Sequence, residues 1–476
     1  MSLDMNRRNF LKGALSAGAA GLVSGCRMPH CFGGVKGAPM HRFAAPAIAH
    51  IRLGIVGMGS RGQGVLGRIK GLPGIEVVAI CDKNQDKIVS SQKMLADNGK
   101  PKAREYLGEH AWRALCDDPE IDVVYNTTPW ELHVPVQIAA MNGGKHVLTE
   151  VPSAFTVDEC WELVETSERT KKHCMQLENC CYGEIEMLTF NLAKLGMLGD
   201  IIHAEGAYIH DLRHMCSANY PDCEYWRYAH NRDHAGNLYA THGLVPLCLT
   251  MDVNRGDRLD YLVSMDSREL NFELYKKNNL KPSDPRLGEK MKTGDMNTSL
   301  IRTVQGKTMV IQHDVSSPRP YSRIQLVSGT KGIIKDYPYQ IVFEEKNGAG
   351  AHDWYPPAKA NEIAEKYKHP MYKTIGKLAK RVGGHGGMDF IMDARWIYCL
   401  QQGIPLDMDV YDLATTCCVG ELSEKSALRR SAAVDIPDFT RGAWKTNPPM
   451  ELIDIDVGKF GLKEDQIQRA DGQLSV

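Results

Sequence analysis

Arg52-Leu53-Gly54-Ile55-Val56-Gly57-Met58-Gly59-Ser60-Arg61-Gly62 decides the fold. Its first five residues form a short run of strand character, G-x-G-x-x-G follows directly, and residues 64–70 read as a helix. Between strand and helix, such glycines permit a tight turn and let the backbone approach a pyrophosphate, whose charge the free N–H groups of the helix start can bind. Among 44 glycines the motif alone is weak, but the next apolar run, Glu76-Val77-Val78-Ala79-Ile80-Cys81-Asp82, strengthens it. Asp82 stands about 20 positions after the last glycine, where a ribose-binding carboxylate belongs. A carboxylate there would repel a 2′-phosphate, so the cofactor expected is NAD rather than NADP. Gly57, Met58, Gly59, Ser60, Arg61, Gly62 and Asp82 are the expected cofactor cradle.

The alternation continues downstream. Residues 121–126, 145–150 and 174–179 read as strands, with helices expected over 132–141 and 158–172. Strands separated by helices of this length imply a parallel sheet covered on both faces. Ligands of such sheets bind outside the carboxyl ends of the strands. Those ends hold Thr127-Thr128-Pro129-Trp130, Glu150-Val151-Pro152 and Asn179-Cys180-Cys181-Tyr182. Later runs at 260–265, 298–304, 308–313 and 323–327 predict a second, open sheet, one face packed on helices and the other available for homo-oligomer contacts. Lys276-Lys277-Asn278-Asn279 is expected to open a polar loop reaching about Asp295. A helix near 389–402, stopped at Gly403-Ile404-Pro405, is expected to return to the first domain.

Composition excludes several classes. At 476 residues the chain is too long for one ordinary domain. Hydrophobic residues at 43% and charged residues at 24% are globular values. Lys plus Arg is 57 against 58 Asp plus Glu, which argues against a nucleic-acid partner. No later apolar run reaches the roughly 20 residues of a membrane span.

The first residues read as an address. Asn6-Arg7-Arg8-Asn9-Phe10-Leu11-Lys12, followed by a weakly apolar stretch rich in Gly and Ala, resembles a twin-arginine export signal. Val23-Ser24-Gly25-Cys26 resembles a lipoprotein cleavage box, with Cys26 as lipid acceptor and the sole route to a membrane. Residues 1–26 are thus read as signal and 27–50 as a tether, for a protein of the periplasm or cell envelope. Fourteen cysteines include two adjacent pairs and no C-x-x-C. Twin-arginine export carries folded proteins out of a reducing cytoplasm, so most of these thiols are expected as buried small hydrophobes.

With Thr128-Pro129 and His133 after one strand and Glu150-Val151-Pro152 after another, the sequence resembles the Gfo/Idh/MocA oxidoreductases from about residue 50 to 450. The resemblance implies an α/β chain: a Rossmann NAD-binding domain, placed at 51–180, and a C-terminal α/β domain with a largely antiparallel open sheet, placed at 181–450, then a tail over 451–476. The family has Glu-Lys-Pro where Val151 stands here, and valine cannot titrate. The narrower resemblance is to glycoside hydrolase family 109. It rests on Glu150-Val151-Pro152, Glu178-Asn179-Cys180-Cys181-Tyr182, the stretch around Tyr208, His210 and Arg213, Trp226-Arg227, Gly236 to Gly243, Asn254 to Arg258 and Gly383-Gly384-His385-Gly386-Gly387-Met388-Asp389. Ala240 departs from a common proline. The resemblance implies NAD contacts from Trp130, His133, Glu150, Val151 and Asn179. It implies substrate contacts from Tyr208, Arg227, Tyr239, Ala240, Thr241, His242 and Tyr321.

That family implies removal of terminal N-acetylgalactosamine, α-linked, from a glycan. Sugar C3 is oxidised, C2 loses a proton, C1 expels its substituent, water adds, and the tightly bound, recycled NAD returns its hydride. His242 is the candidate for proton transfer, because imidazole titrates near neutral pH and the lysine is missing. Tyr182, Tyr208 and Tyr239 are alternatives for the C2 base. His210 and His214 stand four apart, but they follow a strand and lack a glutamate after the first, so no metal is expected. His385, among glycines, is a candidate for the substrate rim. Two other classes compete: an exported sugar dehydrogenase that releases NADH, and a non-catalytic sugar-binding lipoprotein.

Overall fold

A computed structural model of the chain describes residues 39–218, 225–345, 352–451 and 453–463. The export signal, Cys26 and the last residues of the tail lie outside these. The first sheet comprises β1 (Ile51–Val56), β2 (Ile75–Asp82), β3 (Arg104–Leu107), β4 (Val123–Asn126), β5 (His146–Thr149) and β6 (Cys174–Gln176). All pair in parallel, in the order β3-β2-β1-β4-β5-β6. Every residue of β4, β5 and β6 is buried, as expected where both faces are covered. Val56 lies beside Cys81 and Asn126 in the register, so Gly57, Asp82 and Thr127 emerge side by side. β3 is a strand that the sequence pattern does not predict; its residues are mostly exposed and it offers no apolar run.

Among the described residues the second sheet has eight strands: β7 (Ile201–Ile209), β8 (Leu259–Asp266), β9 (Asn297–Thr303), β10 (Thr308–Asp314), β11 (Leu326–Gly329), β12 (Gly332–Lys335), β13 (Gln340–Phe343) and β14 (Val434–Asp435). Their order is β13-β12-β11-β7-β10-β9-β8-β14, and only β7 and β10 run parallel. One face packs on helices Thr241–Thr250 and Val419–Ala427. The opposite face exposes Met265 and Leu300. Helix Thr241–Thr250 crosses β7 where two glycines meet: a Cβ on Gly206 would lie 2.4 Å from the Gly243 carbonyl oxygen. That close approach, open only to glycine, sets His242 beside Tyr208.

Three expectations need correction. Lys276–Asn279 closes helix Asn271–Asn279 rather than opening a loop, because fully buried Phe272 anchors the helix and the Lys276 ammonium donates to the Glu289 carbonyl. The strand expected at 323–327 begins only at Leu326, since Ile324 and Gln325 have φ of 61° and 46°. Residues 39–50, expected within the tether, pack onto the body. The Met40 amide donates to the Tyr411 hydroxyl at 3.1 Å, His41 meets Asp409 at 3.2 Å, and the Ile48 amide donates to the Leu400 carbonyl at 2.9 Å.

Helices Pro370–Val382 and Met388–Gln402 come from far along the chain, yet they share a core with β1 and helix Ser60–Ile69. Buried Asp393 accepts from Arg68 at 2.8 Å and from the Tyr125 hydroxyl at 3.2 Å. The eleven described cysteines are all free and buried. Burial pushes the Cys81 and Cys116 thiols up to about 12, so they are poor nucleophiles.

Candidate active site

The glycine loop after β1 is shaped by contact on two sides and left open on the third. Gly57 has φ +92°, and a Cβ there would lie 2.8 Å from the Thr127 carbonyl oxygen. A Cβ on Gly62 would lie 1.9 Å from the Gly57 carbonyl oxygen. Around Gly59 nothing comes within 4 Å of that position. Helix Ser60–Ile69 starts there with no side-chain cap and no acid in its first turn, so its free N–H groups face this opening. Asp82 accepts from the Met58 amide at 2.7 Å and the Asn84 amide at 2.8 Å, which fixes a carboxylate at the lip of the loop. An open backbone cradle, an uncapped helix start and a fixed carboxylate fit a dinucleotide.

Farther along the strand ends, Arg61 leaves the loop and donates to Glu150 at 2.7 Å and to Asp389 at 2.7 Å. Asn179 donates to Asp389 at 2.6 Å. His133 differs from its expected role as a cofactor contact. Its side chain is sealed, with Nδ1 2.8 Å from the Pro152 carbonyl and Nε2 2.8 Å from the Thr128 carbonyl. It braces two crevice loops, and burial draws its pKa down.

Trp130 joins the crevice to an aromatic chamber on the second sheet. Its ring centroid lies 4.7 Å from Trp226, 4.5 Å from His230 and 5.5 Å from Tyr239. Tyr239 stacks on Tyr208 at 4.4 Å, and both present edges to His242, at 4.8 and 5.2 Å. The Arg227 guanidinium lies over Trp226 at 4.7 Å and Tyr239 at 5.7 Å. His210 and Tyr321 close one side, 5.1 Å apart. Val151 clusters with Tyr208 and Tyr239. Stacked rings with a guanidinium above them suit the faces and polar edges of a sugar. Ala240 is a core residue. Thr241 is equally buried, and its hydroxyl has no partner.

The chamber's distinctive pair is His242 and Glu178. Nδ1 of His242 stands 2.6 Å from Oε1 of Glu178, which also accepts from the Cys180 amide at 3.1 Å. Glu178 is fully buried and its second oxygen has no partner. Burial opposes its charge, but the His242 ring and the Cys180 amide outweigh it and hold the carboxyl below its ordinary range. His210, His230 and His313 also line this region. Burial draws them down to about 4, 3 and 3, with no carboxylate bound to any of them among the described residues. His242 is the imidazole here with a built acceptor behind it.

Glu178, Cys180 and His242 could bring their donor atoms within 4.8 Å of one another, close enough to share a metal. The ring nitrogen and the carboxylate already satisfy each other, and burial pushes the Cys180 thiol up, so the geometry is that of a hydrogen-bonded dyad. His214 lies in the 3-10 helix Arg213–Ser217 and His210 just past β7, so they do not share one helix face.

Tyr182 does not join the chamber. Its hydroxyl donates to Asp407 at 2.9 Å within the core, and Asp407 is paired with Arg395 at 3.0 Å. A phenol committed there has no route to a sugar, which corrects its place among the C2-base candidates. Two residues that sequence reasoning passed over belong to the site. Glu178 is one. Arg323 is the other: it donates to the Tyr321 hydroxyl at 3.1 Å while paired with Glu186 at 2.6 Å. Burial pushes the Tyr321 phenol up and Arg323 pulls against that shift. Glu178 carried two signals, its place at the carboxyl end of a predicted strand and in the block Glu178–Tyr182, but neither named a role for it.

Residues 51–177 match the model of the oxidoreductase family, NAD-binding Rossmann fold, and residues 182–446 match that of the glycosyl hydrolase 109 C-terminal domain. Residues 4–24 match the twin-arginine translocation pathway signal sequence. A glycosyl hydrolase family 109 protein of Solibacter usitatus is 44% identical over 450 residues, covering 94% of this chain and 99% of its own. A Bacteroides fragilis protein named alpha-N-acetylgalactosaminidase is 44% identical over 406 residues, covering 84% of this chain and 95% of its own. Among solved structures, an NAD-binding oxidoreductase from Klebsiella pneumoniae superposes with TM-score 0.61 at 17% identity, over 82% of this chain and 99% of its own. Levoglucosan dehydrogenase in complex with NADH gives TM-score 0.61 at 18% identity, over 82% of this chain and all of its own. These likenesses establish the same fold.

Proposed function

The chain belongs to glycosyl hydrolase family 109, and from that premise we propose that it removes terminal α-linked N-acetylgalactosamine from a glycan or glycoconjugate, with NAD held tightly and restored on every turnover. The name of the Bacteroides fragilis relative supports the sugar. The observation that carries the chemistry is the Glu178-held His242, which meets Tyr208 and Tyr239 in the chamber that Trp130 and Val151 connect to the nucleotide crevice. Most glycosidases need two carboxylates flanking the bond. Here two carboxylates beside the chamber, Glu150 and Glu178, are bound to Arg61 and His242.

NAD, when bound in the cradle, supplies a hydride acceptor for sugar C3 and gives that hydride back, so the net reaction is hydrolysis. His242 handles the C3 hydroxyl proton. With its Nδ1–H donated to Glu178, the ring keeps a lone pair on Nε2 for that proton. A ketone at C3 acidifies the C2 hydrogen. A chamber tyrosine in its phenolate form would take that proton, and the C2–H electron pair would form the C1=C2 bond as the C1–O bond breaks. The substituent would leave as its alcohol with a proton that the incoming water replaces, and water would add at C1 as the tyrosine returns its proton to C2. Burial, which pushes the Tyr239 phenol up, works against its phenolate form. Tyr208 and Tyr239 are the expected phenols that face His242. Val151 cannot relay a proton, which disfavours a dehydrogenase releasing NADH.

The purified protein is expected to hydrolyse a nitrophenyl α-N-acetylgalactosaminide for many turnovers without added NAD and without net NADH. Product formed in heavy water should carry deuterium at C2. Stoichiometric NADH with the glycosidic bond intact would establish the dehydrogenase instead. Full hydrolysis by NAD-free protein would defeat the redox route.

The twin-arginine signal over residues 4–24 marks the chain for export. The periplasm or cell envelope is the proposed destination, with Cys26 carrying a lipid. Cys26→Ser should then move the protein from the membrane fraction to the soluble fraction; an unchanged distribution would remove the anchor.

A further inference from the structure

We propose that Asp389, with Arg61, Asn179 and His385, forms a carboxylate-centred clasp that closes the dinucleotide crevice and slows the exchange of bound NAD. This rests on the NAD reading above and extends it to Asp389 and His385, outside the glycine fingerprint.

Asp389 is fully buried. Its Oδ2 receives Arg61 at 2.7 Å, His385 Nδ1 at 3.0 Å and Arg68 at 3.3 Å, and its Oδ1 receives Asn179 at 2.6 Å. The other arm of Arg61 holds Glu150 at 2.7 Å. One carboxylate therefore ties together the phosphate-side helix, the end of β5, the segment after β6 and the loop 383–387. A dinucleotide lying across the strand ends spans these same pieces. Burial opposes the Asp389 charge, but His385 and the two arginines overcome it and hold the carboxyl well below the usual range.

The glycines around His385 have a steric reason to be there. Gly383, Gly384, Gly386 and Gly387 all have φ between +73° and +107°. A Cβ on Gly384 would lie 2.6 Å from the Asp389 Cβ and 3.0 Å from the Arg68 side chain. A Cβ on Gly387 would lie 2.7 Å from the backbone of Ala379. Only an almost bare backbone can lie this close to the ion network. His385 is the one side chain that the loop presents. Its Nδ1 is held by Asp389, yet the side chain is 60% exposed, so a ring in fixed orientation stands at the open side of the crevice.

The test uses the full-length holoprotein and isotopically labelled NAD, with exchange followed by mass spectrometry of the released cofactor. His385→Ala and Asp389→Asn are each expected to exchange NAD at least ~10-fold faster than wild type, since each removes a contact that holds the loop 383–387 to the strand ends, and lost contacts act mainly on dissociation. His385→Ala, at an exposed ring, should leave the melting temperature of the NAD-free protein unchanged, which separates retention from folding. If Asp389→Asn does not fold, His385→Ala decides. Wild-type exchange rates in His385→Ala would overturn the clasp. A wild-type protein that neither contains nor takes up NAD would overturn the cofactor reading itself.

Discussion

Glu178→Gln is expected to lower turnover by about 10²- to 10⁴-fold while the protein keeps its NAD, the range for losing a positioned general acid or base. The carboxylate can only accept from the His242 ring, so it holds the proton on Nδ1 and leaves a lone pair on Nε2. A glutamine can donate to Nδ1 instead, which shifts the ring proton to Nε2 and blocks it as a base. His242→Ala should cost a similar factor. The double variant should be no worse than the more damaged single one, because the two side chains act as a unit. Additive losses would separate them. The Glu178 carboxyl is depressed in the folded protein, so its contribution is present above its ordinary pKa and is lost as pH falls through the folded value. Acid should therefore weaken the dyad. Steady-state kinetics together with cofactor analysis distinguish this from loss of NAD.

Gly62→Ala should abolish NAD binding, with an affinity loss of at least ~10²-fold, because the third glycine of such a turn permits close packing of helix and strand. The added methyl would stand 1.9 Å from the Gly57 carbonyl oxygen, which no side-chain rotation can relieve. The loop must move and take the cradle with it. Gly59→Ala is the informative contrast. Its methyl meets nothing within 4 Å, so the NAD-free protein should melt as wild type while NAD affinity falls, since the methyl occupies the pyrophosphate's approach. Equal NAD titrations for Gly59→Ala and wild type would place the pyrophosphate elsewhere.

The parts of the fold legible from sequence are those where one local pattern suffices. β1, the glycine turn and the following helix form a continuous stretch, and strands such as 123–126 are apolar because both faces are covered. β3 has no such covering and was invisible. Arg323 reads as a strand residue, but the positive φ of the two residues after it breaks the strand and turns the guanidinium toward Glu186 and Tyr321. Much of the chamber could be named because its residues sit in blocks that carry the family resemblance. Roles could not be read that way. Tyr182 and Tyr239 are both tyrosines in such blocks, and only tertiary structure puts one against Asp407 and the other against His242. Glu178 stands in such a block too, but its role became visible only where the fold brings it to a histidine 64 residues away.

The helices that complete the nucleotide-binding lobe lie late in the chain, and this shapes how the protein can be made. While synthesis is in progress, β1 to β6 emerge long before Met388–Gln402, so the core around Ile51, Leu53 and Ile55 lacks the part that these late helices supply. Residues 39–50 likewise wait for Leu400, Asp409 and Tyr411. The first lobe cannot mature as an independent unit ahead of the second, as separate domains commonly do. Its dinucleotide clasp, which needs Asp389, also closes only after nearly the whole polypeptide exists. A chain built this way becomes competent to hold its cofactor late and all at once, before the twin-arginine route would carry it away from the compartment where it was translated.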